Sequence, residues 1–337
     1  METFIESFVQ GLPLYALFII IAVSLYTLSK GADLLVDEAV ALSERLGIPK
    51  MIIGATIVSL GTTLPEASVS VMAAIYGNPG LALGNAVGSV ICDTGLILGI
   101  ATLISPLPLQ KNIVNRHGWI QFGAGILLVL FSLPYGTIGD IFINGGHISR
   151  VTGFLFVGLL IAYIYFSTVN AKEESVAATV ESSEEDSNKL AIFVKFVLGI
   201  TLVIVSSKVL IPTAQETAIR LNVPESIIAA TLVAFGTSLP ELVTSVTAAL
   251  KGHGELAVGN VVGADILNIL FVIGSAASFS KNGIQVPVDF FKLYFPAMIF
   301  ILTVFRVGSI YSKDELKRPF GLILLGTYIL ITALSYV

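Results

Sequence analysis

Charge is the scarcest property of this sequence. Of 337 residues only 12% are Asp, Glu, Lys or Arg, against roughly 25% in an average soluble domain. So few charges argue against a soluble enzyme. Cysteine is nearly missing as well, and the single Cys92 excludes a disulfide framework within the chain. The three histidines, His117, His147 and His253, lie far apart without metal-ligand spacing, which argues against zinc chemistry. There is no basic surplus either: a formal net charge of -5 offers no surface for nucleic acid, and six of the 23 acidic residues crowd between Glu173 and Asp186. No Lys or Arg precedes the first apolar run, so the cationic start of a secretory signal peptide is lacking and that run is expected to be a permanent span.

What the chain has in abundance is apolar surface. Hydrophobic residues make up 55%, and the mean hydropathy is +0.91 over the whole length. One core cannot hide that much, so the outside must itself be apolar. A helix needs about 20 apolar residues to cross a bilayer. Apolar runs recur at 12–45, 49–76, 80–104, 116–134, 148–169, 190–221, 224–250, 255–279, 287–309 and 318–337. The expectation is an all-α polytopic membrane protein of ten transmembrane helices. The first and sixth runs are longer than a perpendicular crossing requires and should tilt or project.

Between the fifth and sixth runs lies the polar, acidic stretch 171–189, which reads as a solvated linker. It separates a first five-helix repeat, 1–170, from a second, 190–337. The two are related by a shift of 175: GATIVSLGTTLPEASVSVMAAIYG (54–77) falls on AATLVAFGTSLPELVTSVTAALKG (229–252), and LALGNAVGSVICDTGLILG (81–99) on LAVGNVVGADILNILFVIG (256–274), with 21 identities in the 46 positions from 54 to 99. Chance likeness of apolar helices would share Leu and Val, not GT(T/S)LPE and GN-x-VG. An odd number of spans per copy makes the second copy enter from the opposite side, giving an inverted-topology repeat. Positive charge collects in cytoplasmic loops. Placing the N-terminus outside leaves only Arg150, Arg220 and Lys281 in outer loops and puts Arg45, Lys50, Lys111, Arg116, Lys172, Lys189, Lys251, Lys313, Lys317 and Arg318 in inner ones. The linker is then cytoplasmic. The expected location is a cell membrane, with lipid as the surrounding partner and no obligatory protein partner or cofactor evident.

Four acids interrupt the apolar runs: Glu66, Asp93, Glu241 and Asp265. Each costs about 2.5–3.5 kcal/mol at the bilayer centre, together on the order of 10 kcal/mol unless neutralised. No basic residue expected to be buried lies near them in sequence; Lys30 and Lys208, in the long first and sixth spans, are the only candidates, and bound cations are the more economical partners. In each copy the glutamate follows two hydroxyls, a leucine and a proline: Thr62, Thr63, Leu64, Pro65, Glu66, and Thr237, Ser238, Leu239, Pro240, Glu241. Proline removes a backbone donor and glycines Gly61 and Gly236 loosen the same region, so a helix break is expected there. The carbonyls around Ser59 and Ala234 would join the side-chain oxygens as hard ligands. Such ligands suit calcium and sodium. On the next helix Ser89 and Asp93 share a face, with Ala264 and Asn268 as repeat equivalents. Asp265, three residues from Asn268, is expected to reach the same cavity from its edge. Gly84, Gly88, Gly259 and Gly263 should allow close helix packing. Asp33 and Asp37, near Lys30, read as an ion pair or exposed helix end, and Cys92 as a small core residue.

Paired GT(S/T)LPE and GN-x-x-GS motifs in two inverted halves resemble the calcium/cation antiporter superfamily, in particular its sodium/calcium exchanger branch, over essentially the whole chain. The resemblance implies ten helices and a site between the second, third, seventh and eighth. There Glu66 and Glu241 coordinate calcium and, with neighbouring oxygens, alternatively sodium. Thr62, Thr63, Thr237, Ser238, Ser89, Asp93 and Asn268 are then further ligands or their supports. It implies secondary-active exchange of sodium for calcium by alternating access, without covalent catalysis. The pattern departs from the family at GSVICD and GADILN, where acid and amide are exchanged between the halves, Ala264 replaces a serine and Asp265 adds a carboxylate. That departure leaves proton-coupled cation antiport open as the alternative. Two other readings fit less well. Asp93-Thr94-Gly95 spells an aspartic-protease triplet, but Asn268 at the equivalent position breaks the dyad, and an anionic closed site suits exchange better than a channel's conduction.

Overall fold

The computed structural model describes the backbone of residues 2–76, 79–136, 138–177, 189–222, 236–312 and 314–335. A short helix α1 (Glu2–Gln10) leads into α2 (Leu14–Leu46), whose apolar run ends where Gly47 takes a left-handed φ of 62° and its N–H, with that of Ile48, caps the last carbonyls. Helix α3 (Lys50–Ile53) passes through a π-turn, Gly54–Val58, into α4 (Ser59–Ile75). Then follow α5 (Pro79–Cys92), a second π-turn (Asp93–Ile97), α6 (Leu98–Ile104), strand β1 (Leu107–Pro108), α7 (Lys111–Ser132), α8 (Ile141–Asn144), β2 (Gly146–Ile148) and α9 (Arg150–Ala177). The second half has α10 (Lys189–Arg220), α11 (Leu239–Leu250), α12 (Gly254–Leu267), a π-turn (Asn268–Ile273), α13 (Gly274–Phe279), β3 (Ile284–Val286), a further π-turn (Phe290–Tyr294), α14 (Phe295–Tyr311), β4 (Glu315–Leu316) and α15 (Arg318–Leu334).

Six helices among the described residues are long and apolar enough to cross a membrane: Leu14–Leu46, Gly80–Ile104, Arg150–Val169, Leu190–Arg220, Gly254–Phe279 and Phe290–Tyr311. The bent pair Lys50–Leu64 and Glu66–Ile75 makes a seventh. Leu239–Leu250 and Arg318–Leu334 are apolar but shorter. Helix α7 is long enough, but its hydropathy is diluted by polar residues turned inward, His117 and Gln121, both fully buried or nearly so. Large apolar side chains such as Phe18, Ile161, Phe193 and Leu330 point outward and are at least half exposed. Such a surface is matched by lipid rather than water.

The halves contact each other reciprocally. Strand β1, after α6, pairs antiparallel with β4, before α15; strand β3, after α13, pairs antiparallel with β2, before α9. Helices α2 and α10 pack along their length, and a Cβ on Gly31 would meet Leu202 and Val203, while one on Gly199 would meet Leu35. The peripheral pair α2 and α10 encloses a buried centre: every residue of α12 except Glu255 is buried.

Two local expectations need correction. At Pro65, which has no backbone N–H to give, the helix bends by 50° and α4 runs on to Ile75. In the second copy a turn over 236–238 precedes α11, and Pro240 sits in its first turn, where a missing N–H is harmless. Residues 171–177, expected as linker, continue α9, as their Ala, Lys and Glu content favours. Residues 178–188 of the linker, the start of the seventh apolar run with Ala234, and Lys313 lie outside the described residues.

Candidate cation site

The bend in α4 and the turn before α11 bring the two glutamates into the centre, each fully or almost fully buried. Their contacts are reciprocal. Thr63 Oγ1 of the first copy donates to Glu241 Oε1 of the second at 3.4 Å, and Ser238 Oγ of the second donates to Glu66 Oε1 of the first at 3.5 Å. Under the shift of 175, Thr63 maps to Ser238 and Glu66 to Glu241. A two-fold relation therefore passes between the glutamates. The same relation holds one layer out, where Asn85 Nδ2 donates to Ser70 Oγ at 3.1 Å and Asn260 Nδ2 to Ser245 Oγ at 3.0 Å. These bonds tie α4 to α5 and α11 to α12, giving the duplicated GN motif a structural task.

Around this frame, Ser89 Oγ of α5 donates to Glu66 Oε1 at 3.1 Å, and Asn268 and Thr237 also face Glu66. Thr62 stands beside Glu241, with its hydroxyl turned back to the carbonyls of Val58 and Ser59. Asp93 and Asn268 are fully buried and open the π-turns Asp93–Ile97 and Asn268–Ile273. A π-turn shifts side-chain register within a helix and recurs at functional positions. Ser238 approaches Asp93 without closing a hydrogen bond. The structure thus gathers Glu66, Glu241, Thr62, Thr63, Thr237, Ser238, Ser89, Asp93 and Asn268.

Two expected members are placed differently. Ser59 is buried, but its hydroxyl donates to Thr56 O and its carbonyl accepts Thr62 Oγ1, so both are engaged within their own helix. Asp265, also fully buried, turns to Thr94 Oγ1 and Gln121 Nε2 instead of the glutamates. Sequence reasoning did not single out Thr94 or Gln121 as partners. Gln121 is four residues after His117 within an apolar run, which was the available signal.

The polar atoms are poorly matched by protein donors alone. Glu66 Oε2, Glu241 Oε2, both oxygens of Asp93, Asp265 Oδ1 and both amide atoms of Asn268 are buried without a hydrogen-bond partner. A buried carboxylate left this way is costly unless something compensates it. Among the described residues no group of three or more His, Cys, Asp or Glu side chains could hold a metal ion by themselves. Any ion here would draw on hydroxyl, amide and carbonyl oxygens as well, a donor set that suits hard cations. A cavity of about 290 Å³, lined by Asn85, Ser89, Cys92, Thr237, Tyr328 and Ser335, approaches this centre beside α15.

Comparison with known proteins points the same way. The family model described as sodium/calcium exchanger protein matches residues 16–169 and 191–337. The sodium/calcium exchanger MaX1 of Methanosarcina acetivorans is 29% identical over 340 residues, covering 93% of this chain and 96% of the relative. The inner membrane protein YrbG of Escherichia coli is 31% identical over 324 residues, covering 94% and 96%. The sodium-calcium exchanger NCX_Mj, soaked with zero sodium and calcium, superposes with a TM-score of 0.81 at 25% identity, covering 96% of this chain and all of the other.

Proposed function

This chain belongs to the sodium/calcium exchanger family, whose members are membrane antiporters of cations and not enzymes, and from that premise we propose that it exchanges sodium for calcium by alternating access. The observation that carries the proposal is the reciprocal pair Thr63 to Glu241 and Ser238 to Glu66, which leaves one buried, unpartnered oxygen on each glutamate. Glu66 and Glu241 would hold calcium between the halves. Thr62, Thr63, Thr237, Ser238, Ser89, Asp93 and Asn268 supply or orient further oxygens. Sodium would compete for the same oxygens, so occupancy by one ion excludes the other and transport becomes exchange. An empty site leaves unpaired carboxylates in a low dielectric, which opposes crossing without cargo.

The full architecture in this proposal is ten spans in two inverted five-helix repeats, 1–170 and 190–337, joined by a cytoplasmic linker, with the N-terminus outside the cell membrane. The reciprocal strand pairs and hydrogen bonds support it. Close contact at Gly31 and Gly199 makes α2 and α10 a single sliding unit against the buried core.

Calcium-45 uptake into proteoliposomes under imposed sodium, potassium or proton gradients tests the coupling. Uptake driven by an outward sodium gradient and absent with potassium is expected. Equal uptake with a proton gradient and no sodium would overturn sodium as the driving ion and leave proton-coupled antiport, the reading favoured by the displaced carboxylate Asp93.

A further inference from the structure

We infer that Tyr163, oriented by His117, is a positioning residue for the cation site: it holds the π-turn Gly54–Val58 and so sets the aim of Thr62, Thr63 and Glu66 on α4. The inference rests on the antiporter reading and adds to its ligands the residues that fix the turn in front of them.

A π-turn releases a carbonyl. The N–H of Ser59, which a regular α-helix would give to Ala55 O, goes instead to Gly54 O and Thr56 O. Ala55 is fully buried, and a buried carbonyl needs a donor. The Tyr163 hydroxyl of α9 supplies one at 3.2 Å. Its single proton is then spent, so at His117 Nδ1, 3.0 Å away on α7, the hydroxyl can only accept. The imidazole proton must therefore sit on Nδ1. Nε2 of His117 is left buried without a partner, and the ring stands edge-on to Tyr163 with centroids 5.6 Å apart. Both side chains are buried. Helix α12 packs against the same turn: a Cβ on Gly54 would clash with Leu256 O, and one on Gly263 with Ala55 O and Ser59 Oγ. The turn is thus held by backbone packing from α12 and by one hydroxyl from α9.

What depends on the turn is the face that α4 presents. Thr62 Oγ1 bonds back at 3.3 Å to the carbonyl of Val58, the last residue of the turn, and Thr63 Oγ1 bonds to Glu241 Oε1. A π-turn carries one residue more than an α-turn, and one residue is about 100° of rotation. Closing it to α would swing Thr63 away from Glu241 and Glu66 away from Ser238 together. Without its donor, Ala55 O gains by recapturing the Ser59 N–H, which is that closure. A site correctly aimed only part of the time binds with an affinity reduced by that fraction, and saturating ion restores it. Loss of the hydroxyl should therefore raise the half-saturating ion concentration more than it lowers the maximal rate.

The test titrates calcium-45 uptake by full chains in proteoliposomes, under whichever gradient drives it, for wild type, Tyr163→Phe, His117→Leu, His117→Asn and Tyr163→Phe/His117→Leu. Tyr163→Phe keeps the ring and drops the hydroxyl, and should raise half-saturating calcium about fivefold or more with a maximal rate within about twofold of wild type. His117→Leu should give a rise of a few fold. His117→Asn, whose side-chain amide keeps a donor near the Nδ1 position, should stay within about twofold of wild type. The double variant should be no weaker than Tyr163→Phe, because His117 acts only through Tyr163. Unchanged half-saturation in Tyr163→Phe, a loss confined to the maximal rate, or effects that multiply in the double variant would overturn the positioning role. If Tyr163→Phe does not fold, the contrast between the two His117 variants decides in its place. Amide hydrogen exchange of the detergent-purified chains reads the turn itself: exchange over 54–60 should quicken in Tyr163→Phe and His117→Leu but not in His117→Asn. An unchanged rate in all of them overturns the inference whether or not the wild type carries calcium. Wild type with no calcium flux under any gradient refutes the antiporter reading instead, and the exchange rates then still decide whether Tyr163 holds the turn.

Discussion

The duplicated and the unduplicated parts of the buried centre differ in how they are satisfied. Where the two copies agree, hydrogen bonds come in related pairs: Thr63 to Glu241 with Ser238 to Glu66, and Asn85 to Ser70 with Asn260 to Ser245. Where they disagree, one copy has what the other lacks. Ser89 donates to Glu66, but Ala264 has nothing to offer Glu241; Asp93 faces Asn268 across the relation; Asp265 replaces an apolar counterpart. Duplication supplies a symmetric frame able to rest in two related states. The differences add one acid to each copy, Asp93 in the first and Asp265 in the second, at positions that the other copy fills with Asn268 and Val90.

Breaking the symmetric part should have the largest effect. Glu66→Gln and Glu241→Gln each remove a charge from the pair the two copies share, so each should lower calcium exchange by more than 100-fold in the proteoliposome assay. Retained flux in either variant would show that the pair is not the shared site. Next comes the displaced acid. Asp93→Asn should reduce exchange by more than tenfold, because an amide cannot neutralise a cation. If the two-fold relation is functional, the double variant Asp93→Asn/Asn268→Asp should recover to within a few fold of wild type, since it restores the charge across the axis. A double variant as weak as the single would make the side that bears the charge decisive.

How much of this could be read beforehand follows from the same contrast. The glutamates, their hydroxyls and the repeat were legible because duplication writes each signal twice, in GTTLPE and GTSLPE. The ring of Asp265, Thr94 and Gln121 was not, because Gln121 comes from α7, 144 positions from its acid, and no second copy marks it. Helical spacing placed Ser89 and Asp93 on one face, but it did not foretell the π-turn that begins at Asp93 and shifts the register of the residues after it. Pro65 signalled an irregularity in the helix, and only the fold decided between bend and break.

A further asymmetry lies away from the site. Lys251, in the turn after α11, reaches Asp37 Oδ1 at 2.8 Å, Asp33 Oδ1 at 3.3 Å and Asp33 O at 3.1 Å, clamping α2 to the core. Its repeat counterpart is Tyr76, which is largely exposed and carries no ammonium, so the clamp is not repeated at the related position. Partial burial would lower the ammonium's pKa, but the hydrogen bonds and charges of Asp37 and Asp33 outweigh it and raise the value. A raised lysine pKa means the clamp is intact below the group's ordinary value of about 10.4 and lost only as pH climbs through the raised one. Exchange between about pH 6 and 8 should therefore owe none of its pH dependence to Lys251. Lys251→Met should favour release of α2 and change the ratio of forward to reverse exchange by about fivefold, equivalent to roughly 1 kcal/mol. Equal changes in both directions would show the clamp to be stabilising without biasing either state.

The smallest expected effect would make the two copies more alike. In the first, Ser89 Oγ sits 3.1 Å from Glu66 Oε1; in the second, the buried methyl of Ala264 leaves Glu241 with Thr63 at 3.4 Å and an unpartnered Oε2. Ala264→Ser adds one oxygen at the position related to Ser89, with little added volume. Interhelical hydrogen bonds in membranes average about 0.6 kcal/mol, so the half-saturating calcium concentration should fall about two- to threefold. A calcium affinity that weakens instead would mean that the hydroxyl binds its own helix at the i-4 carbonyl, as Thr62 does at Val58, and that the two copies are equivalent in backbone but not in ligand reach.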